Sequence, residues 1–159
     1  MADLIVNLYE KESFLNDNGV KLKDDSIKIK RVLSPNSDRL VEFVQTHFSI
    51  GWTSEVKAGV YKENPTCFVA TDNGNIVGFA CYDATAKGYF GPTGVDPNYR
   101  GKNIGQVLLL TTLDALKNAG YGYAVIGGVN DKVAGFYARY VNFMKFETKP
   151  DLYSRLINR

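Results

Sequence analysis

The residues best placed to do chemistry fall in one stretch, Val95-Asp96-Pro97-Asn98-Tyr99-Arg100-Gly101-Lys102-Asn103-Ile104-Gly105. A strand-like run enters it, and a long apolar helical run leaves it. A tight turn of that kind leaves the first N–H groups of the helix without partners inside the helix. They converge on one point, with the positive end of the helix dipole behind them. An anion such as pyrophosphate is the natural occupant of that point. Gly101 and Gly105 let the backbone approach it closely, and Arg100 and Lys102 add positive charge. Two other nucleotide motifs do not fit. Lys102 is followed by Asn103 rather than Ser or Thr, and no G-x-G-x-x-G follows an early strand. Taken alone, the segment also fits a surface turn with a helix cap.

The turn has to be positioned by its neighbours. Tyr89–Val95 reads as the strand before it, and Ile104–Asn118 as the helix after it, buried through Val107, Leu108, Leu109, Leu110, Leu113 and Leu116. Gly120 and Lys117 suit the end of that helix. Upstream, Ser26–Leu33 alternates as a strand, and Leu40, Val41, Phe43, Val44 and Phe48 recur at helical spacing, which predicts a helix over Asp38–His47. A second helix is expected over Ser54–Tyr61. Cys67–Thr71 and Ile76–Tyr82 flank the hairpin turn Asp72-Asn73-Gly74-Asn75, so three strands meander in antiparallel order. Downstream come a strand at Tyr123–Val129, a short helix at Ala134–Tyr140, and two late strands at Phe143–Glu147 and Leu152–Leu156. Leu4–Tyr9 is a short strand or an arm. The expected fold is α+β, with a mixed, mostly antiparallel sheet flanked by helices. Residues 26–159 form one domain, and residues 1–25 an N-terminal arm or extra strand.

Composition narrows the function. A chain of 159 residues suits one core. With 19 basic and 17 acidic residues, the net charge of +2 supplies no field to draw in nucleic acid or an anionic membrane. The N-terminus lacks the basic start and apolar core of a signal peptide, and no apolar run reaches the roughly 20 residues that span a bilayer. Two cysteines, Cys67 and Cys81, both in strand-like runs, suggest core residues in a reducing cytoplasm rather than a disulfide framework. A single histidine, His47, argues against a metal site.

Arg100-Gly101-Lys102-Asn103-Ile104-Gly105 resembles the Q/R-x-x-G-x-G/A signature of the GNAT N-acetyltransferase superfamily. Asn130 through Tyr137 is similar to that family's segment after its fifth strand, where an Asn is followed seven residues later by a Tyr. The order of elements from about Ile27 onward matches as well. Phe90–Val95 also resembles the Phe-Gly-Pro-Thr-Gly-Val strand of a bacterial subgroup. One position departs: Asn103 stands where the signature has its first Gly. Asn tolerates left-handed angles better than other non-Gly residues, so the turn can form, with the side chain expected to crowd the pyrophosphate.

The resemblance implies an acetyl-coenzyme A-dependent N-acetyltransferase acting on a small-molecule amine by direct transfer, without a metal. It implies that the strands at Tyr89–Val95 and Tyr123–Val129 splay to admit the pantetheine arm. The N–H of Val95 or a neighbour would be the oxyanion donor, Tyr137 the general acid that protonates the leaving thiolate, and Asn130 a hydrogen-bonding partner of the pantetheine arm or of the turn. Arg100, Gly101, Lys102, Asn103, Ile104 and Gly105 would hold the phosphates. The general base is Asp83 or Glu55, with His47 a further candidate. Acceptor recognition would fall to Phe48–Tyr61, including Trp52, and to Tyr82 and Tyr89. Dimers are frequent in the family, and residues 1–25 could serve one. Two other readings stay open: a silent acetyl-CoA-binding sensor or scaffold, and transfer to a protein amine.

Overall fold

The computed structural model describes residues 1–147 and 149–157. The chain runs β1 (Ala2–Asn7), α1 (Phe14–Asn18), β2 (Ile27–Arg31), α2 (Asp38–His47), α3 (Ile50–Val60), β3 (Cys67–Asp72), β4 (Asn75–Tyr82) and β5 (Tyr89–Val95). It continues with α4 (Ile104–Asn118), β6 (Tyr123–Val129), α5 (Asp131–Ala138) and β7 (Met144–Phe146). Single 3₁₀ turns lie at Pro97–Tyr99 and Leu152–Arg155. The strands form one seven-stranded sheet in the order β2-β3-β4-β5-β6-β1-β7. Every pairing is antiparallel except β5 with β6.

The expected α+β architecture is present. The sheet divides two cores. On one face, α4 buries Leu108, Leu109 and Leu113 against Leu4, Val6, Ala80 and Ile126. On the other, Val44 of α2 and Val56 and Val60 of α3 pack on Cys67, Val69, Phe79 and Cys81. Cys67 and Cys81 face each other across the hairpin as buried free thiols, and burial pushes the Cys81 thiol well above its ordinary value. They belong to the core.

Residues 2–7 are a strand inside the sheet. β1 lies between β6 and β7, with Leu4 and Val6 fully buried. The segment after it is tied to α4 by Asp114, whose carboxylate accepts from the Phe14 N–H at 2.6 Å and the Ser13 hydroxyl at 2.9 Å.

Two helix starts and one late strand depart most from the periodicity reading. α3 begins at Ile50, four residues earlier, because the Ser49 hydroxyl caps it by accepting from the Trp52 N–H. α5 begins at Asp131, because Asn130 caps it. Leu152–Leu156 is not a strand. Leu152–Arg155 is a 3₁₀ turn, started by the Asp151 carboxylate accepting from the Ser154 N–H at 3.2 Å.

Candidate active site

β5 and β6 run parallel but register only at Tyr89–Val125 and Phe90–Ile126. Beyond Phe90 they part. The cause lies in β5. Gly91 and Pro92 form a bulge against β4, where the register shifts between Ala80 and Tyr82, and Pro92 has no N–H to donate to either neighbour. A cleft of about 700 Å³ opens along the gap.

The Val95 N–H, expected to be the oxyanion donor, is not taken up by β4, and Val95 is not among the residues lining the cleft. Asp96 donates to the Val77 carbonyl at 2.8 Å, and Val95 sits opposite Gly78. N–H groups alternate in direction along an antiparallel ladder, so that of Val95 turns away from β4.

The turn before α4 has an open front. Asn103 is left-handed, with φ 66° and ψ 15°, and makes no side-chain cap. The first bond into the helix runs from the Val107 N–H to the Asn103 carbonyl, at 3.0 Å. The N–H groups of Ile104, Gly105 and Gln106 therefore precede the helical ladder. A Cβ on Gly101 would meet nothing within 4 Å, and one on Gly105 would meet only Val95 Cγ2, at 3.7 Å. Gly101 is left-handed, with φ 80°, an angle that itself favours glycine. Gly105 has neither such an angle nor a crowding neighbour, and its backbone is open at the front.

The Asn103 side chain does not crowd that front. Its Nδ2 donates to the Lys21 carbonyl at 2.8 Å, which turns the amide toward the chain before β2. Lys102 is turned the same way. Its Nζ lies 3.4 Å from the Asp24 carboxylate. Of the turn residues, Arg100 reaches the cleft wall, where it is joined by Lys132 from the first turn of α5.

Tyr137, near the end of α5, lies on the wall and is 6% exposed. Its ring meets Phe90 edge-on, with centroids 6.2 Å apart. Burial pushes its phenol up to about 12, so the hydroxyl keeps its proton at neutral pH. Among the described residues, that hydroxyl has no hydrogen-bond partner.

The other candidates separate by geometry. Glu55 is on the wall, with Oε1 accepting from the Thr85 hydroxyl at 2.6 Å. Asp83 is not. Its residue is left-handed, and its two oxygens accept from the Gly88 N–H at 2.7 Å and the Tyr121 hydroxyl at 3.0 Å, which braces the β4–β5 connection. Asn130 is not on the wall either. Its Oδ1 accepts from the Val133 N–H at 2.9 Å as the α5 cap. His47 lies at the end of α2, against the Phe43 carbonyl and 3.6 Å from Asp96. Trp52 and Tyr89 line the cleft, whereas the Tyr82 hydroxyl accepts from Arg31.

Sequence reasoning missed Lys132, Thr85, Gly127, Gly128 and Tyr153 on this wall. Two adjacent glycines in an otherwise β-branched strand were a usable signal. Nothing local marks Tyr153.

The sequence profile of the Acetyltransferase (GNAT) family matches residues 35–143, and the chain belongs to that family. Among solved structures, the chain is similar to the GCN5-related glucosamine N-acetyltransferase region of a fungal multi-domain GH3 beta-N-acetylglucosaminidase. That match has a TM-score of 0.69 at 18% identity and covers 91% of this chain and 20% of that one. A GCN5-related N-acetyltransferase from Sphaerobacter thermophilus matches with a TM-score of 0.63 at 18% identity, over 91% of this chain and 49% of that one. This chain thus spans half or less of the length of these two. An aminoglycoside acetyltransferase from an uncultured soil metagenomic sample matches with a TM-score of 0.54 at 20% identity, over 73% of this chain and 87% of that one. These likenesses show the GNAT fold. Among curated proteins, none matches the sequence. Among the described residues, no helix is long and apolar enough to cross a membrane.

Proposed function

We propose that this chain is an N-acetyltransferase that uses acetyl-coenzyme A and acetylates a primary amine of a small molecule by direct transfer. The observation that carries this reading is the cleft itself. One opening between β5 and β6 has the cationic Arg100 and Lys132 on its wall and the protonated phenol of Tyr137 beside them. Acetyl-coenzyme A supplies an activated thioester. The open N–H groups at Ile104, Gly105 and Gln106 receive its phosphates, with Arg100 and Lys132 adding charge.

The residues then divide the work. Glu55 takes a proton from the acceptor ammonium, leaving a neutral amine whose lone pair attacks the acetyl carbon. The Val95 N–H stabilises the negative charge that grows on the acetyl oxygen. As the carbon–nitrogen bond forms and the carbon–sulfur bond breaks, Tyr137 gives its proton to the departing sulfur; the nitrogen then loses its second proton through water, which restores the Tyr137 phenol, and Glu55 releases its proton to solvent. The products are the amide and the free thiol of coenzyme A. Binding alone would not call for a phenol at Tyr137, which favours transfer over a silent sensor. Among the relatives, the aminoglycoside acetyltransferase has been seen in complex with sisomicin, an acceptor type compatible with this reading.

The test is thiol release from acetyl-coenzyme A across a panel of small amines, with mass detection of the acetylated product. Turnover of at least one amine, reduced by Tyr137→Phe, is the expected result. Coenzyme A binding with no turnover of any amine or protein amine would establish the sensor reading instead.

A further inference from the structure

The side of the cleft nearest α3 is walled by Trp52, Glu55, Thr85, Tyr89 and Tyr153. Adjacent strand residues point to opposite faces of a sheet. Phe90 packs on Tyr137, so its neighbour Tyr89 faces α3, with Trp52 and Glu55. β6 yields room to two phenols on this wall. A Cβ on Gly127 would lie 3.0 Å from the Tyr89 ring, and one on Gly128 would lie 2.7 Å from the Tyr153 hydroxyl. Glycine inside a strand costs roughly 0.5–1 kcal/mol relative to alanine. Gly127 keeps an ordinary strand angle, so the Tyr89 ring accounts for its missing side chain, whereas Gly128 is left-handed, with φ 66°, and would be glycine on that ground as well.

Tyr153 is not a core residue. It comes from the C-terminal 3₁₀ turn and is 42% exposed. The charge around it is negative. Its phenol is raised by burial first, and then by the carboxylates of Glu55, Asp3 and Asp151. The phenol of Tyr89 is raised by burial, Asp3 and Asp151. The positive wall residues, Arg100 and Lys132, belong to the α4 and α5 side. Aromatic faces attract cations, and a concave wall of one sign concentrates the opposite charge.

We infer that the α3 side of the cleft takes an acceptor with at least two amino groups, one meeting Glu55 and a second, still charged, held at Tyr89 and Tyr153. The C-terminal turn then acts as a specificity wall through Tyr153. The assignment of the reacting amine rests on the acetyl-transfer reading; the ligand class rests on the wall alone.

Trp52 is the only tryptophan in the chain and lies on this wall, so its fluorescence reports occupancy without turnover. The experiment titrates coenzyme A-loaded protein with 1,4-diaminobutane and, separately, with 1-aminobutane. The diamine is expected to bind at least tenfold more tightly. Tyr153→Ala should reduce that preference at least fivefold with coenzyme A affinity unchanged by calorimetry, and Tyr153→Phe, which keeps the ring, should retain it. Equal binding of the two amines overturns the inference, as does a folded Tyr153→Ala protein with its preference intact. A diamine preference without thiol release from any amine keeps the ligand class and removes the transfer reading. Thiol release with the monoamine preferred does the reverse.

Discussion

Gly105→Ala separates what the fold requires at the α4 turn from what a phosphate ligand requires. Gly105 is the second residue of α4, and its added Cβ would touch only Val95 Cγ2, at an ordinary 3.7 Å. No clash opposes the substitution. Alanine is favoured over glycine in a helix by up to about 1 kcal/mol. In a chain of 159 residues that raises Tm by about 2–4 °C. The ligand-bound state should respond in the opposite direction. A methyl group in front of the open N–H groups holds a phosphate off the backbone. Losing one hydrogen bond to a charged group costs about 1.5–3 kcal/mol, which lowers coenzyme A affinity roughly 10- to 150-fold. Thermal unfolding monitored by circular dichroism reads the first quantity, and calorimetry with coenzyme A reads the second. Pantetheine, which lacks the pyrophosphate, is the control and should bind both proteins equally. Gly105→Val should weaken coenzyme A binding further. A folded Gly105→Ala protein with unchanged coenzyme A affinity would refute the phosphate assignment, and equal loss with pantetheine would place the defect elsewhere in the cleft.

Tyr137→Phe should lower kcat by roughly ten- to a thousandfold with coenzyme A affinity unchanged, since the ring stays in place; full activity with chemistry rate-limiting would remove Tyr137 as the acid. The same variant tests the raised phenol. The folded state holds this proton up to about 12 and the unfolded chain releases it near 10, so the stability it brings is complete below about pH 10 and is lost as pH rises through 12, by about 3 kcal/mol. Alkaline unfolding of the Phe variant should therefore be less steep than that of the parent over that window, and identical profiles would contradict the buried placement. Glu55→Gln should cut kcat at least tenfold at neutral pH, whereas Asp83→Asn should leave the chemistry intact and lower stability by about 1–3 kcal/mol; the opposite pattern in rate and unfolding measurements would exchange their roles. Asn103→Gly should keep coenzyme A affinity at least equal to the parent's, with stability changed by no more than about 1 kcal/mol as the bond to Lys21 is lost and the left-handed strain relieved. A clear loss of affinity in calorimetry would mean that the amide contacts the ligand.

What the amino-acid sequence determined by itself was local. The β3–β4 hairpin follows from Asp72-Asn73-Gly74-Asn75, and α4 from its apolar spacing. The turn between β5 and α4 follows from Gly101, Asn103 and Gly105, and the left-handed angle at Asn103 is one that few other side chains tolerate. These features depend on contacts within a few residues, which periodicity and turn chemistry report directly. The tertiary structure decided the rest. Asp83 and Glu55 were equivalent as isolated carboxylates. Asp83 became a brace because Gly88 and Tyr121 fold back onto it, and Glu55 joined the cleft because α3 packs against β3, β4 and β5 beside it. Asn130, found by its spacing from Tyr137, is engaged locally as the cap of α5, three residues from its partner Val133. β1 pairs Leu4 with Ile126 and with Lys145, and Tyr153 returns to Gly128 from the far end of the chain. The Leu4 partners lie more than a hundred residues away and the others tens of residues away, and where they meet depends on every strand pairing before them. No local pattern encodes that distance, so the side chains that face one another in the cleft are a property of the folded sheet.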